Sequence, residues 1–251
     1  MNKIRVFAEG ATEKAVVDRL ADRMLLPKKQ LEVVDCGGQG SQPQLLRDNI
    51  DSFLKSQRDL PESVRGCLRI LVLRDQDDGA IDSVVTSVQD VLRPYFPDVV
   101  LAPHPQHDRV FRSLDQPSLR AAVYVSGDAG INQYFPAVSK RTMDDCLLLL
   151  ALGMETAKKM LDPSRQLGAD RLIAKVTREI PDLLAQNGMT PFVASKDHLR
   201  FYSALLGIST SPASFARNVI AYADLPSLRS HFAGLLAAVD ALSDPALGGA
   251  C

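Results

Sequence analysis

Three short apolar runs constrain the fold of this chain more than any other feature. Each stops at a polar or glycine-containing loop, and each is followed by a stretch with helical periodicity. Ile4-Arg5-Val6-Phe7-Ala8 stops at Glu9-Gly10, after which Val16, Val17, Leu20 and Met24 fall at helical spacing. Leu31-Glu32-Val33-Val34-Asp35 runs into Cys36-Gly37-Gly38-Gln39-Gly40-Ser41, and Pro43 opens a helix carrying Leu45, Leu46, Ile50, Phe53 and Leu54. The third run, 68–75, precedes a helix over 81–95 with Val84, Val85, Val88, Val91 and Leu92 on its apolar side. Residues 99–101 and 121–125 read as two further strands. Alternation of this kind implies parallel pairing, right-handed crossovers and helices on the sheet faces. A ligand site is then expected beyond the carboxyl ends of the strands.

From Thr142 onward the pattern is helical, with segments expected at 143–154, 169–186, 196–206, 212–221 and 226–242. The expected fold is therefore α/β: a mostly parallel sheet flanked by helices over 1–130, then a helical region over 131–251 that packs on it and contributes to the site. The 46% hydrophobic content suffices for a core, and a net charge of −1 gives no global attraction to a polyanion. No apolar stretch reaches the length of a membrane span, and the first residues carry no signal-peptide pattern, so a cytoplasmic location is expected. Cys36, Cys67, Cys146 and Cys251 lack zinc-ligand spacing. Three of them sit in or beside apolar segments as small core residues. His104 and His107 fall in a proline-interrupted stretch that reads as a solvated loop.

The third run ends in Asp75-Gln76-Asp77. Residues two apart on a strand share a face, so the two carboxylates are expected to point together. At roughly 4 Å they would repel by about 4 kcal/mol even at an effective dielectric of 20. A divalent cation with oxygen ligands relieves this, whereas Asp78 points to the other face, beside the ligands. Glu9 stands at the mouth of the first strand-to-helix turn, for which Gly10 supplies conformational room. Glu13 falls in the first helical turn, where the helix dipole also favours a carboxylate. The glycine loop around Gly38 could let backbone amides approach a phosphate, or be a plain turn; it lacks the Lys-Ser/Thr of a P-loop.

A strand ending in Glu9-Gly10 and a later strand ending in Asp75-x-Asp77, in that order and context, resemble the Toprim domain over roughly residues 3–100. Glu9-Gly10-Ala11-Thr12-Glu13 looks most like the small standalone bacterial Toprim proteins related to OLD-family nucleases. In the second half, Ser126-Gly127-Asp128, Thr142-Met143-Asp144-Asp145 and Ser195-Lys196-Asp197 resemble later stretches of those relatives. The resemblance implies a Mg²⁺- or Mn²⁺-dependent nuclease acting on DNA or RNA, in phage defence or repair. It implies that Asp75 and Asp77 hold one ion, with Glu9 as shared ligand or general base, and that Glu13 and Asp145 reach toward a second. Lys196 would stabilise developing charge, and Asp144 would stand beside the ligands. Helix capping accounts equally for Asp144 and Asp145, and a solvated helix start for Lys196.

Two other readings remain open at the level of sequence. One is a Toprim-like subunit that binds nucleic acid or a separate ATPase and is silent alone; pairing into a homodimer is also compatible. The other is a Mg²⁺-dependent phosphatase of haloacid-dehalogenase type, which Asp77-Asp78-Gly79 faintly resembles and which leaves Glu9-Gly10 unexplained.

Overall fold

A computed structural model describes residues 3–61, 64–116, 118–162, 167–208 and 211–243. Six strands form one sheet in the order β2-β1-β3-β6-β5-β4. They are β1 (Ile4–Ala8), β2 (Leu31–Asp35), β3 (Leu68–Asp75), β4 (Ala102–His104), β5 (His107–Gln116) and β6 (Leu119–Ser126). β1 pairs in parallel with β2 and with β3, Ile4 lying opposite Leu31 on one side and Arg69 on the other. The fold is α/β with a mostly parallel sheet and a helical C-terminal region, as the alternation of the sequence predicts.

The far side of the sheet departs from that prediction. β4, β5 and β6 form an antiparallel meander. The stretch containing His104 and His107 is a tight hairpin rather than a loop, with the two rings 5.0 Å apart. The residues expected as a strand at 99–101 pack Val99 and Leu101 into the core without joining the ladder, which begins at Ala102. β5 went unrecognised because its alternation is broken by Asp108, Arg109 and Arg112, which a strand near a sheet edge tolerates.

The chain forms two compact units. The first comprises residues up to 74, 79–125 and from 233 onward; the second comprises 75–78 and 126–232. The division differs from a single cut at 130 in three places: 75–78 and 126–130 fall in the second unit, and the last helix falls in the first. In the first unit, β1, β3 and β6 are buried along almost their whole length, which explains their near-continuous apolar sequences. One face is covered by α2 (Gln42–Gln57) and α3 (Ile81–Leu92), which present Leu46, Ile50, Val84, Val85 and Val88 to Phe7, Ile70, Val72 and Val123. Helix α1 (Ala11–Asp22) packs Val16, Val17 and Leu20 into the interior beside β1 and β2. The last helix, α11 (Ala233–Ser243), packs against β5. Gly234 approaches the Tyr124 ring so closely that a Cβ there would lie 2.9 Å from it.

The second unit is built around α4 (Met143–Leu152), whose run Cys146–Leu152 is apolar nearly all round because other helices surround it. α5 (Met154–Met160), α8 (Ser195–Leu206), α9 (Pro212–Tyr222) and α10 (Leu225–His231) pack against it. The Tyr202 hydroxyl of α8 donates to the Ala151 carbonyl at 2.6 Å. The segment expected as one helix over 169–186 is α6 (Ala169–Ala174) and α7 (Ile180–Gln186) joined by a π-helical turn, Lys175–Glu179. Among the described residues, no helix is long and apolar enough to cross a membrane.

Candidate functional site

In the first unit the expected acids are built into a local network. Glu9 follows β1, and its carboxylate lies 3.5 Å from Arg74 Nε at the end of β3, both side chains being largely buried. Arg74 also donates to Gln42 Oε1 at 3.2 Å. The Gln42 amide, 1% exposed at the start of α2, donates to the Phe7 and Leu73 carbonyls at 3.0 Å each. Gln42 therefore ties the ends of two adjacent strands together, a role that its place ahead of Pro43 gave no signal for.

Gly10 stands at the strand-to-helix turn and caps α1 in extended backbone (φ −150°). Glu13 Oε2 accepts the Gly10 N–H at 2.8 Å. Burial raises the pKa of Glu13, the nearby Glu9 and Asp35 carboxylates push the same way, and the backbone hydrogen bonds oppose both. The glycine loop turns back on itself. Gly38, at φ +123°, donates its N–H to the Glu9 carbonyl at 2.7 Å, and Gly37 donates to Asp35 Oδ1 at 2.9 Å. Those two amides are occupied, which is the plain-turn reading.

The second unit holds the remaining acids. Asp75 Oδ1 accepts from the Ser126 hydroxyl and from Met143 N at 2.9 Å. The strand stops there. Asp77 lies beyond it in the left-handed region (φ 54°), so the alternation expected to place both carboxylates on one face does not extend to it. Its backbone exchanges two hydrogen bonds of 2.8 Å with Arg141. Arg141 is positioned by its bonds to Asn132 and to the Val138 carbonyl at 3.1 Å. Gly127 (φ +126°) lies against it, where a Cβ would come within 2.6 Å of Arg141 Cβ. The Asp77 carboxylate is half-buried and has no hydrogen-bond or ion-pair partner among the described residues; Asp78 is exposed.

Asp145 is wholly buried and fully engaged. Its Oδ1 accepts from the Ser195 hydroxyl, and its Oδ2 from Asp128 N and Thr142 N at 3.2 Å each. Burial raises its pKa although these donors and Arg141 favour the charged form. Asp144 lies beside it in the first turn of α4. Asp128 Oδ1 accepts from Gly130 N at 2.8 Å, and its Oδ2 is 3.5 Å from His231 Nδ1. Lys196, near the start of α8, is exposed, with no partner for its ammonium among the described residues. With Leu199, Arg200 and Phe215 it lines a groove of about 490 Å³. Among the described residues, no group of three or more His, Cys, Asp or Glu side chains is gathered as around a bound ion.

Sequence reasoning did not single out Ser126, Arg141 and Gln42 as positioning residues. Ser126 was findable as the last residue of its strand; Arg141 acts through its backbone, which no residue type reveals.

No family profile and no curated protein sequence matches the chain. The crystal structure of a hypothetical protein, PH0156 from Pyrococcus horikoshii OT3, has a similar fold: TM-score 0.59, 15% identity, covering 97% of this chain and 100% of that one.

Proposed function

We propose that the chain is a divalent-metal-dependent nuclease acting on DNA or RNA, with Asp75 and Asp77 as its cation-holding pair. The supporting observation is Asp77. A non-glycine residue at positive φ carries a backbone cost and persists where its surroundings over-determine it. Here the Arg141 bonds impose that conformation on a residue whose carboxylate no described residue engages. Two residues earlier, Ser126 and Met143 N fix Asp75 Oδ1.

Hard oxygen donors of this kind fit Mg²⁺ or Mn²⁺. Asp145 fits less well, because donors occupy both of its carboxylate oxygens, and Glu13 serves as the cap of α1. A bound divalent ion would supply charge neutralisation and an activated water at a phosphodiester. This chain's own part is to hold Asp75 in one orientation through Ser126 and to keep Asp77 turned out through Arg141. The Lys196 ammonium, which has no partner among the described residues, offers a positive charge to a phosphate oxygen.

The test is cleavage of supercoiled plasmid and labelled single strands in Mg²⁺ or Mn²⁺, with Asp77→Asn as control and metal affinity read by calorimetry. Metal-dependent cutting lost in the variant is the expected result. A second reading, a subunit that cuts only beside a partner such as an ATPase, is favoured by the commitment of Glu13 and Asp145 to capping. It predicts metal binding sensitive to Asp77→Asn without cutting. Absence of metal binding would overturn both.

A further inference from the structure

The second unit contains an aromatic cavity that none of this chemistry uses. It has a volume of about 320 Å³, and its lining includes Tyr134, Phe135, Leu184, Met189, Phe192 and His198. His198, on α8, is only 6% exposed. Its ring stacks on Phe135 with centroids 3.8 Å apart at 29°, and meets Phe192 edge-on at 5.6 Å and 85°. Its nitrogens make no hydrogen bond among the described residues. Burial pushes the His198 pKa down to about 4 against the pull of Asp197, so the ring is neutral. A neutral imidazole presents an N–H or a bare nitrogen according to its tautomer, and can meet either kind of edge atom.

The rest of the lining narrows the occupant. Among the described residues that line the cavity there is no Lys or Arg, and Asp182 is the one acid, so the lining offers an anion no positive charge. The volume lies near the lower end of the roughly 300–1,000 Å³ of ligand pockets, which suits a ring without large substituents. Thr177, also in the lining, sits in the π-helical turn Lys175–Glu179, a departure from regular helix that recurs at functional sites. Rings flanked by aromatic walls gain from stacking whatever their sequence context.

We propose that this cavity takes a nucleobase, an uncharged planar heteroaromatic ring that stacks among Tyr134 and Phe192 and hydrogen-bonds to His198. The choice of a nucleobase among planar rings rests on the nucleic-acid reading above; the cavity itself does not depend on the metal. The base could belong to a free nucleoside or to a single strand that presents it.

The full-length protein, in EDTA so that metal plays no part, is titrated with adenosine, uridine and fluorescein-labelled dA and dT decamers. His-labelled NMR follows the His198 ring, and polarisation follows the decamers. Saturable shifts of the His198 resonances are expected. Affinity should weaken about tenfold in His198→Phe, which keeps the stacked ring and removes both nitrogens. Tyr134→Ala, at a 40% exposed position where folding is not at stake, should weaken it as well. Binding of nucleosides and decamers alike identifies a free-base site, and binding of decamers alone a strand-presented one; both support the proposal. A silent His198 ring with every ligand, or unchanged affinity in both variants, overturns it. Cleavage by a protein whose His198 stays silent would overturn this inference and leave the nuclease reading intact. Base binding without cleavage or metal affinity would do the reverse.

Discussion

Each unit buries one carboxylate at the third position of a helix, and the two are treated differently. Glu13 and Asp145 both accept the N–H of the residue that caps their helix, Gly10 and Thr142 respectively. Glu13 is 6% exposed, and its backbone donors are local, the Gly10 N–H and its own. Asp145 is 0% exposed and gathers a Ser195 hydroxyl and the Asp128 N–H besides its own cap. The first is an ordinary helix cap, replaceable in kind. The second joins three segments far apart in sequence, so its loss would strand three donors at once. A capping carboxylate thus becomes a tertiary tie when burial removes the water that would otherwise satisfy its neighbours.

The sharpest way to break this contrast is Asp145→Ala. Stranding those donors should lower unfolding free energy by about 3–5 kcal/mol in urea titrations. A loss no larger than that of a simple cap would erase the distinction. The next effect concerns another buried ionisable group of that unit. His198 has a depressed pKa, so its stabilising contribution is present above the ordinary histidine range, near 6.5, and is lost as pH falls toward about 4. Over that window the wild type should lose on the order of 3 kcal/mol relative to His198→Phe. Parallel acid-stability curves for the two would show that the imidazole is not held neutral.

Gly127→Ala should cost about 2 kcal/mol, from a strained φ and a clash with Arg141, and should lower activity through Asp77. An equal loss at Gly37, where a Cβ would meet nothing, would point to backbone strain alone. The smallest effect belongs to Glu13→Gln, within about 1 kcal/mol at neutral pH because the amide oxygen can still accept the Gly10 N–H. The Glu13 pKa is raised, so the wild type's contribution is present at low pH and lost as pH rises through the raised pKa. The glutamine variant should therefore compare best with wild type above the carboxylate range and worst below it, in melts followed by circular dichroism.

The parallel half of the sheet was legible because β1 and β3 are buried on both faces and announce themselves as unbroken apolar runs. β5 was not, because a strand near the sheet edge keeps charged residues such as Arg112 and shows no clean alternation. Among the candidate acids, Asp75 and Glu9 do stand at strand ends as the pattern of Glu-Gly and Asp-x-Asp suggests. Asp77 escapes the period-two argument because backbone pairing with Arg141, distant in sequence, overrides local geometry. The capping roles of Glu13 and Asp145 follow from their first-turn positions. The extra donors on Asp145 do not, since they come from long-range packing.

The placement of α11 has a consequence for synthesis. The first unit begins before the second in the sequence, yet the helix that packs against β5 is made after all of residues 126–232. All of residues 126–232 leave the ribosome before it. The second unit can therefore be complete on the nascent chain while β5 still waits for its covering helix. A stop codon at 233 would spare every residue of the second unit and deprive the first of α11, so a truncation that begins beyond the second unit harms the first.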